Sequence, residues 1–152
     1  MSNPVALFAA DYAEARRKFR DAAAARGCAL TAHLHPTAKG PKGEDLFVDA
    51  ATAGPDDAQA GLLLISGTHG VEGYAGSACQ IGWLESQRND AWPRQLKVVM
   101  IHALNPYGFA WNRRVTEENV DLNRNFVDHG GTYPKNPGYE EETGARPRQP
   151  QA

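Results

Sequence analysis

The sequence predicts an α/β fold in which helices flank a mixed, mostly parallel sheet. Residues 61–67 and 96–102 form two short, unbroken apolar runs, which are typical of strands buried on both faces. A helical pattern over residues 74–88 separates the two runs, and Tyr74, Ala78, Ile81 and Leu84 form its inner side. A strand, a helix and a strand within about forty residues predict a βαβ unit, with the two strands adjacent and parallel.

The N-terminal segment predicts an amphipathic helix. Asn3 is a suitable cap, Pro4 suits the first turn and Gly27 marks the end. Its apolar stripe consists of Val5, Phe8, Tyr12, Ala15, Phe19 and Ala22. The basic residues between them predict a solvated face rather than a binding patch; they are Arg16, Arg17, Lys18 and Arg20.

Two further strands are expected over residues 29–35 and 46–51, with a turn-rich break over 36–43 between them. We expect one domain over residues 1–128. Residues 129–152 are rich in Gly, Pro and charge without an apolar period, which favours a poorly ordered tail.

The composition excludes several classes of function. A formal net charge of −2 gives no basic face for nucleic acid, and no apolar run is long enough to span a membrane. Cys28 and Cys79 lie far apart and outside any CxxC spacing, which indicates reduced thiols. We therefore expect a cytoplasmic protein that binds neither nucleic acid nor membrane.

The loop after the first apolar run carries a candidate metal-binding pair. His69 offers an imidazole nitrogen and Glu72 a carboxylate oxygen, at the carboxyl end of a predicted strand, where ligands bind in open α/β sheets. The H-x-x-E pattern alone is weak. The simpler interpretation is that Glu72 begins a helix near its positive dipole end while His69 packs at the strand end.

A second group of polar residues lies downstream. Arg113 and Arg114 precede the pair Asn123 and Arg124. Guanidinium groups bind carboxylates through two parallel hydrogen bonds, and an amide donates to the same oxygens. An arginine near a metal also stabilises the oxyanion that forms when water attacks a carbonyl. For any one of these arginines, a surface loop is the ordinary alternative.

Taken together, these motifs resemble the zinc carboxypeptidases and their deacylase relatives, the aspartoacylases and succinylglutamate desuccinylases. The resemblance rests on His69-x-x-Glu72, on the run Asp-Leu-Asn-Arg-Asn-Phe at 121–126, and on Asn105-Pro106. The run 104–114 is most similar to a bacterial branch of that superfamily. The resemblance spans residues 61–126 and implies the N-terminal portion of a zinc carboxypeptidase-like fold.

For the metal, the resemblance implies that His69 and Glu72 are zinc ligands. It also implies that Asp121 is the carboxylate that orients the ligand histidine, because an acceptor on the second ring nitrogen fixes the tautomer and the direction of the ring.

For the substrate, the resemblance implies that Asn123 and Arg124 hold a terminal carboxylate. Arg114 matches the arginine that polarises the scissile carbonyl, with Arg113 as its competitor. The implied activity is zinc-dependent cleavage of a peptide or amide bond beside a free carboxylate. The implied substrate is a small peptide or an N-acyl amino acid.

The sequence departs from that pattern after Arg124. The family places a third ligand, a histidine, and then a catalytic glutamate well downstream. Here only His129 follows, so we expect a C-terminally truncated chain that binds zinc weakly and is inactive by itself. Should zinc bind tightly, His102 and His129 are the first candidates for a missed ligand.

Two alternatives stay open. One is a non-catalytic remnant that binds a carboxylate or a weakly held metal. The other takes Gly67, Gly70 and Gly73 as a phosphate-binding loop, although their spacing matches neither established nucleotide motif.

Overall fold

The computed structural model describes residues 4–86, 92–126, 128, 130–132 and 137–138. Four strands form one sheet in the order β1-β2-β4-β3: Ala29–Lys39 (β1), Asp45–Ala53 (β2), Ala60–Ile65 (β3) and Leu96–His102 (β4). The α-helices are Tyr12–Ala25 (α1), Glu72–Ser86 (α2) and Pro106–Trp111 (α3), and two 3-10 turns span Pro4–Leu7 and Leu122–Arg124.

The sheet is mixed and flanked by helices, as predicted. Strands β3 and β4 pair in parallel, with Leu63 opposite Val99, and α2 forms the connection between them. The βαβ unit is therefore confirmed. Strand β2 pairs antiparallel with both β1 and β4, so one pair of three is parallel rather than most of them. For β1 and β2 the short turn is the reason, because a connection of that length joins only antiparallel strands.

The first helix begins later than predicted. Asp11, rather than a residue near Pro4, caps α1 by accepting a hydrogen bond of 2.9 Å from the backbone nitrogen of Glu14. Val5 and Phe8 consequently lie outside the helical stripe and are exposed. Asn3, the predicted cap, lies outside the described residues.

The main core lies between α1, α2 and one face of the sheet. Its buried members are Phe19, Ala23, Ala51, Ile81, Leu84, Val98 and Met100. A second cluster joins α1 to α3 through Tyr12, Ala15, Leu46, Ala103 and Phe109. The predicted inner residues of α2 at 78, 81 and 84 are buried. The predicted helical range extends to residue 88, and its last two residues lie outside the described residues.

The opposite face of the sheet is open in the described part of the chain. Strand β3 is at the sheet edge, and the side chains of Leu63 and Ile65 on it are 58% and 48% exposed. The prediction that this strand is buried on both faces is therefore wrong. Strand β4 likewise alternates between buried residues on the helix side and partly buried ones on the open side.

Strand β1 continues beyond its predicted end. It passes through Pro36 to Lys39, with a shift of register between Leu34 and Lys39. Because β1 is an edge strand, the missing N–H of Pro36 leaves no ladder hydrogen bond unmade in the centre of the sheet. The predicted break at 36–43 is thus reduced to the turn around Gly40–Gly43.

Two of the arginines predicted to face solvent bind a buried carboxylate instead. Asp49 on β2 is fully buried and accepts from Arg16 at 2.6 and 3.1 Å and from Arg20 at 2.6 Å. The Arg16 guanidinium also lies 3.8 Å from the centre of the Phe47 ring. The solvated-face prediction does hold for Arg17, whose ion pair with a neighbouring aspartate is exposed.

Both cysteines, Cys28 and Cys79, are free thiols, and burial raises the pKa of Cys28. Within the described ranges, no helix has the length and apolar character needed to cross a membrane. The predicted tail at 129–152 lies outside the described residues, apart from 130–132 and 137–138.

Candidate active site

His69 and Glu72 meet at the carboxyl end of β3, where the chain turns into α2. His69 lies in the connecting loop and is 9% exposed, whereas Glu72 is the first residue of α2 and its side chain is 74% exposed. The Nδ1 atom of His69 is 3.1 Å from Oε2 of Glu72. The spacing of three residues therefore does bring an imidazole nitrogen and a carboxylate oxygen together, as the sequence suggested.

Asp121 contacts the other side of the same ring. Its Oδ1 is 2.9 Å from Nε2 of His69 and 2.9 Å from the backbone nitrogen of Asn123, while its Oδ2 accepts a 2.8 Å hydrogen bond from Nε of Arg114. The hydrogen bond with His69 is the main reason that the pKa of Asp121 falls to about 2, and the bonds from Arg114 and Asn123 act in the same direction. Asp121 is therefore a carboxylate at neutral pH.

The two contacts restrict the hydrogen-bonding role of each ring nitrogen of His69. A ring between two carboxylates is satisfied in two ways: as an imidazolium that donates from both nitrogens, or as the neutral tautomer that donates from Nε2 to Asp121 and keeps its lone pair on Nδ1. That lone pair faces a carboxylate oxygen of Glu72 at 3.1 Å. Two acceptors at this distance repel unless a proton or a cation lies between them. The spacing is compatible with a bridging proton and with a bridging cation.

Packing against α3 holds the His69 loop in place. The backbone nitrogen of Gly70 donates to the carbonyl of Arg113 at 3.0 Å, and that of Arg113 donates to the carbonyl of Gly108 at 2.8 Å. A Cβ on Gly70 would lie 2.5 Å from the Arg113 nitrogen and 2.6 Å from its oxygen, so only glycine fits. The Asn105 side chain caps α3 by accepting from Gly108 at 2.8 Å. Sequence reasoning noted Asn105 and Gly70 but not these packing roles.

A cavity of about 180 Å³ adjoins the pair at the end of β3. It is lined by Ile65, Ser66, Gly67, Thr68, His69, Glu72, Gly73 and Gly76. The glycines of this loop approach protein atoms: a Cβ on Gly67 would lie 2.7 Å from Ala103, and one on Gly73 would lie 3.1 Å from Phe109. Nothing in this arrangement favours the phosphate-loop alternative, because packing accounts for the glycines.

The predicted carboxylate-binding residues lie on the turn that Asp121 begins. Asn123 and Arg124 are exposed members of the 3-10 turn Leu122–Arg124, and the Asp121 side chain caps that turn. The contact between Asp121 and His69 therefore brings this turn next to the candidate metal ligands, across a sequence separation of 52 residues.

The two adjacent arginines differ in their surroundings. The Nε atom of Arg114, which the resemblance assigns to catalysis, is bound to Asp121. Arg113 is exposed and has no acidic partner within the described part of the chain. The backbone of Arg113 is thus bonded to Gly70 beside His69, whereas the side chain of Arg114 is linked to His69 through Asp121.

The candidate metal ligands number two in the described part of the chain. In the described ranges, no group of three His, Cys, Asp or Glu side chains is arranged to hold a metal ion. His102 is buried in the core beside Ser77 and Phe19, and His35 pairs with Glu117 at 3.1 Å. His129 lies outside the described residues. The pair His69 and Glu72 therefore fits two positions of a zinc site, and the described residues do not supply a third.

The fold and this site define a mixed-sheet α/β protein with a histidine–carboxylate pair at the end of its parallel strands. The chain belongs to the family described as "Protein of unknown function (DUF2817)", whose model matches residues 8–144. No curated protein matches the chain.

Three solved structures are similar to parts of it. A glutaminyl cyclase from Fimbriiglobus ruber has 12% identity and a TM-score of 0.39, with 57% of this chain and 35% of that one covered. A glutaminyl cyclase from Porphyromonas gingivalis has 16% identity and a TM-score of 0.39, with coverage of 67% and 48%. The esterase LipW from Mycobacterium marinum has 19% identity and a TM-score of 0.31, with coverage of 58% and 25%. The chain therefore spans less than half the length of each of these proteins.

Proposed function

We propose that this site belongs to a zinc-dependent hydrolase that cleaves a peptide or amide bond next to a free carboxylate. The observation that carries the proposal is the pairing of His69 with carboxylates on both ring nitrogens, at 3.1 Å on Nδ1 and 2.9 Å on Nε2. Asp121 orients the ring through Nε2 and leaves Nδ1 for the metal beside Glu72, as carboxylates next to metal-binding histidines do.

The residues of the chain have distinct roles in this proposal. His69 and Glu72 bind zinc, which when bound supplies Lewis acidity and lowers the pKa of a coordinated water. Asn123 and Arg124 bind the free carboxylate of the substrate, and a neighbouring arginine stabilises the oxyanion. Release of a C-terminal amino acid and deacylation of an N-acyl amino acid both require these interactions.

A second candidate is a binding protein without catalysis. It is favoured by the metal-ligand count, since a catalytic zinc site needs three protein ligands and the described residues bring two together. In that case the arginines and Asn123 would bind a carboxylate, and zinc would bind weakly or not at all.

The metal half of the proposal is tested by titrating the 152-residue chain with Zn²⁺ in a calorimeter. We expect weak binding, because two ligands hold the ion, and we expect His69→Ala to abolish it. His33→Ala is the matched control, since His33 is an exposed histidine on β1 and is expected to leave binding unchanged. Zinc binding that survives His69→Ala would refute the proposed ligand pair.

The substrate half is tested with N-acetyl amino acids that carry either a free or an amidated carboxyl group, monitored by backbone NMR shifts. Only the free acid is expected to bind, and Arg124→Ala is expected to weaken that binding about tenfold or more, as for loss of a charge-assisted hydrogen bond. Arg17→Ala, on the exposed side of α1, serves as the control. Equal binding of acid and amide would rule out carboxylate recognition. Hydrolysis of the acid form in the presence of zinc would support the enzyme and exclude the binding protein without catalysis.

We also propose a cytoplasmic location, which the two free cysteines support. Subcellular fractionation combined with thiol labelling tests it. Recovery of the protein from an oxidising compartment would contradict it.

A further inference from the structure

We infer that His35 is a positioning residue for the candidate active site, and that it acts through Glu117 on the segment 114–125. This segment carries Asp121 and the 3-10 turn of the predicted carboxylate-binding residues, whereas His35 lies on β1, at the opposite edge of the sheet from β3. The positioning of Asp121 concerns contacts within the chain alone, and only the consequence for substrate binding rests on the proposed function.

The ring of His35 is held by its own strand. Its Nδ1 atom accepts hydrogen bonds from the backbone nitrogens of Ala38 at 3.0 Å and Thr37 at 3.4 Å. These nitrogens face the ring where the register of β1 shifts, and such irregularities redirect side chains at sheet edges. Because Nδ1 is an acceptor, the ring proton is on Nε2, which lies 3.1 Å from Oε1 of Glu117. His35 therefore donates to Glu117 in its neutral form.

Two polar side-chain contacts join the segment 114–125 to the rest of the described chain. One is between Asp121 and His69 at 2.9 Å, and the other is between Glu117 and His35. The remaining hydrogen bonds of the segment among the described residues are internal, including the bond between Arg114 and Asp121. Loss of the His35 contact would therefore leave the Asp121 contact as the one polar link to the described elements.

A closed turn connects Glu117 to Asp121. The backbone nitrogen of Thr116 donates to the carbonyl of Val120 at 2.9 Å, and that of Val120 donates to the hydroxyl of Thr116 at 3.2 Å. Asn119 has a positive φ of 59–64° type geometry, with φ 64, and so lets the chain reverse within the turn. A restraint on Glu117 is therefore passed to Asp121 through a compact turn.

Apolar packing leaves space beside the segment. A cavity of about 370 Å³ adjoins it, and the contact between His35 and Glu117 lies at its wall. The apolar lining consists of Val48, Leu104, Pro106, Val120 and Leu122. None of these five residues belongs to the two buried clusters. Because packing here is incomplete, the polar contact is needed to restrain the segment.

The inference is tested by NMR of the ring proton on Nε2 of His69 in the metal-free 152-residue chain, since Asp121 accepts that proton. Glu117→Ala is expected to raise its exchange rate with water about threefold or more, because the contact opens more often. Glu117→Gln is expected to restore most of the protection, since its amide oxygen still accepts from His35. Glu118→Ala is the matched control, because Glu118 is exposed and has no hydrogen bond or ion pair among the described residues.

The double variant of His35→Ala and Glu117→Ala tests whether the two residues act together. Once His35 is replaced, Glu117→Ala is expected to add no further increase in exchange. Thermal unfolding checks that each variant keeps the fold, and if His35→Ala does not fold, the variants of Glu117 decide. An unchanged rate in Glu117→Ala, an equal increase in Glu118→Ala, or independent effects of the two substitutions would overturn the positioning role.

The consequence for the substrate is tested with an N-acetyl amino acid that carries a free carboxyl group. Glu117→Ala is expected to weaken its binding about threefold or more, because Asn123 and Arg124 belong to the same segment. Equal affinity in the variant would overturn the positioning of that turn. If the unmodified chain does not bind the compound, the proposed carboxylate recognition fails, while the ring proton of His69 still decides the role of His35.

Discussion

At the scale of single residues, His102 has an environment that couples folding to pH. Its ring stacks on Phe19 with 4.6 Å between the ring centres, its Nε2 atom is 2.9 Å from the hydroxyl of Ser77, and its Nδ1 has no hydrogen-bond partner among the described residues. Burial lowers the pKa of His102 from 6.5 to about 4, although the nearby charge of Asp49 acts in the opposite direction. The folded protein therefore keeps this histidine neutral where the unfolded chain protonates it.

We accordingly expect the free energy of unfolding to fall as the pH is lowered through 6.5 toward 4. In that window the unfolded state binds a proton that the folded state does not, so stability rises with pH and the His102 contribution is complete above about pH 7. The loss from this residue between pH 7.5 and pH 5 is on the order of 2 kcal/mol. Urea unfolding of the unmodified chain and of His102→Gln across this range measures it.

The comparison with His33→Gln provides the control, because that histidine is exposed. If the stability of the unmodified chain and of His102→Gln falls by the same amount on acidification, His102 is not the group responsible.

At the scale of elements, the packing of the His69 loop against α3 depends on backbone contacts. Gly70 sits against the backbone of Gly108 and Arg113, and a side chain at that position has no space. Gly61 on β3 provides a matched comparison, since the nearest atom to a Cβ there is the carbonyl oxygen of Lys97 at 4.0 Å. The two positions therefore differ in how closely neighbouring atoms would approach a Cβ.

We expect Gly70→Ala to destabilise the fold by about 2–4 kcal/mol and to disturb the His69 resonances, because the overlap forces the loop away from α3. Gly61→Ala is expected to change stability by less than about 1 kcal/mol, since alanine adds little strain in an edge strand. Chemical denaturation together with ¹⁵N NMR measures both effects. Equal stability of the two variants would mean that the packing of the loop against α3 is not rigid.

At the scale of the whole molecule, the sheet is covered on one face only in the described part of the chain. Leu84 on α2 is 1% exposed, while Leu63 on the open side is 58% exposed. Leu84→Ala is therefore expected to cost about 2–4 kcal/mol, and Leu63→Ala less than about 1 kcal/mol. This reverses the expectation from sequence, which placed Leu63 in a strand buried on both faces.

Urea denaturation at several protein concentrations compares the two variants. It also tests whether the open face is covered by association in solution. A large cost at Leu63 that depends on protein concentration would show that the open face is covered by association in solution. A large cost that is independent of concentration would contradict the exposed position of Leu63.

The sequence by itself determined the local features of this protein. Apolar periodicity predicted α2, the strand at 96–102 and the parallel pairing of β3 with β4, because those patterns reflect neighbouring residues and a short crossover. The spacing of His69 and Glu72 placed both at the end of β3, since a gap of three residues at a strand-to-helix turn leaves little choice. Their roles as zinc ligands stay predictions.

Tertiary structure alone decided the features that depend on distant partners. The apolar run of β3 indicated what the strand can bury, not that it lies at an edge with Leu63 exposed. The charge of Arg16 and Arg20 did not reveal that they hold Asp49, some thirty residues away. Likewise, the sequence left Arg113 as a competitor of Arg114, and only the folded chain shows that Arg114 is bonded to Asp121. Burial and ion pairing depend on which elements meet, whereas periodicity and spacing report only what each element is able to form.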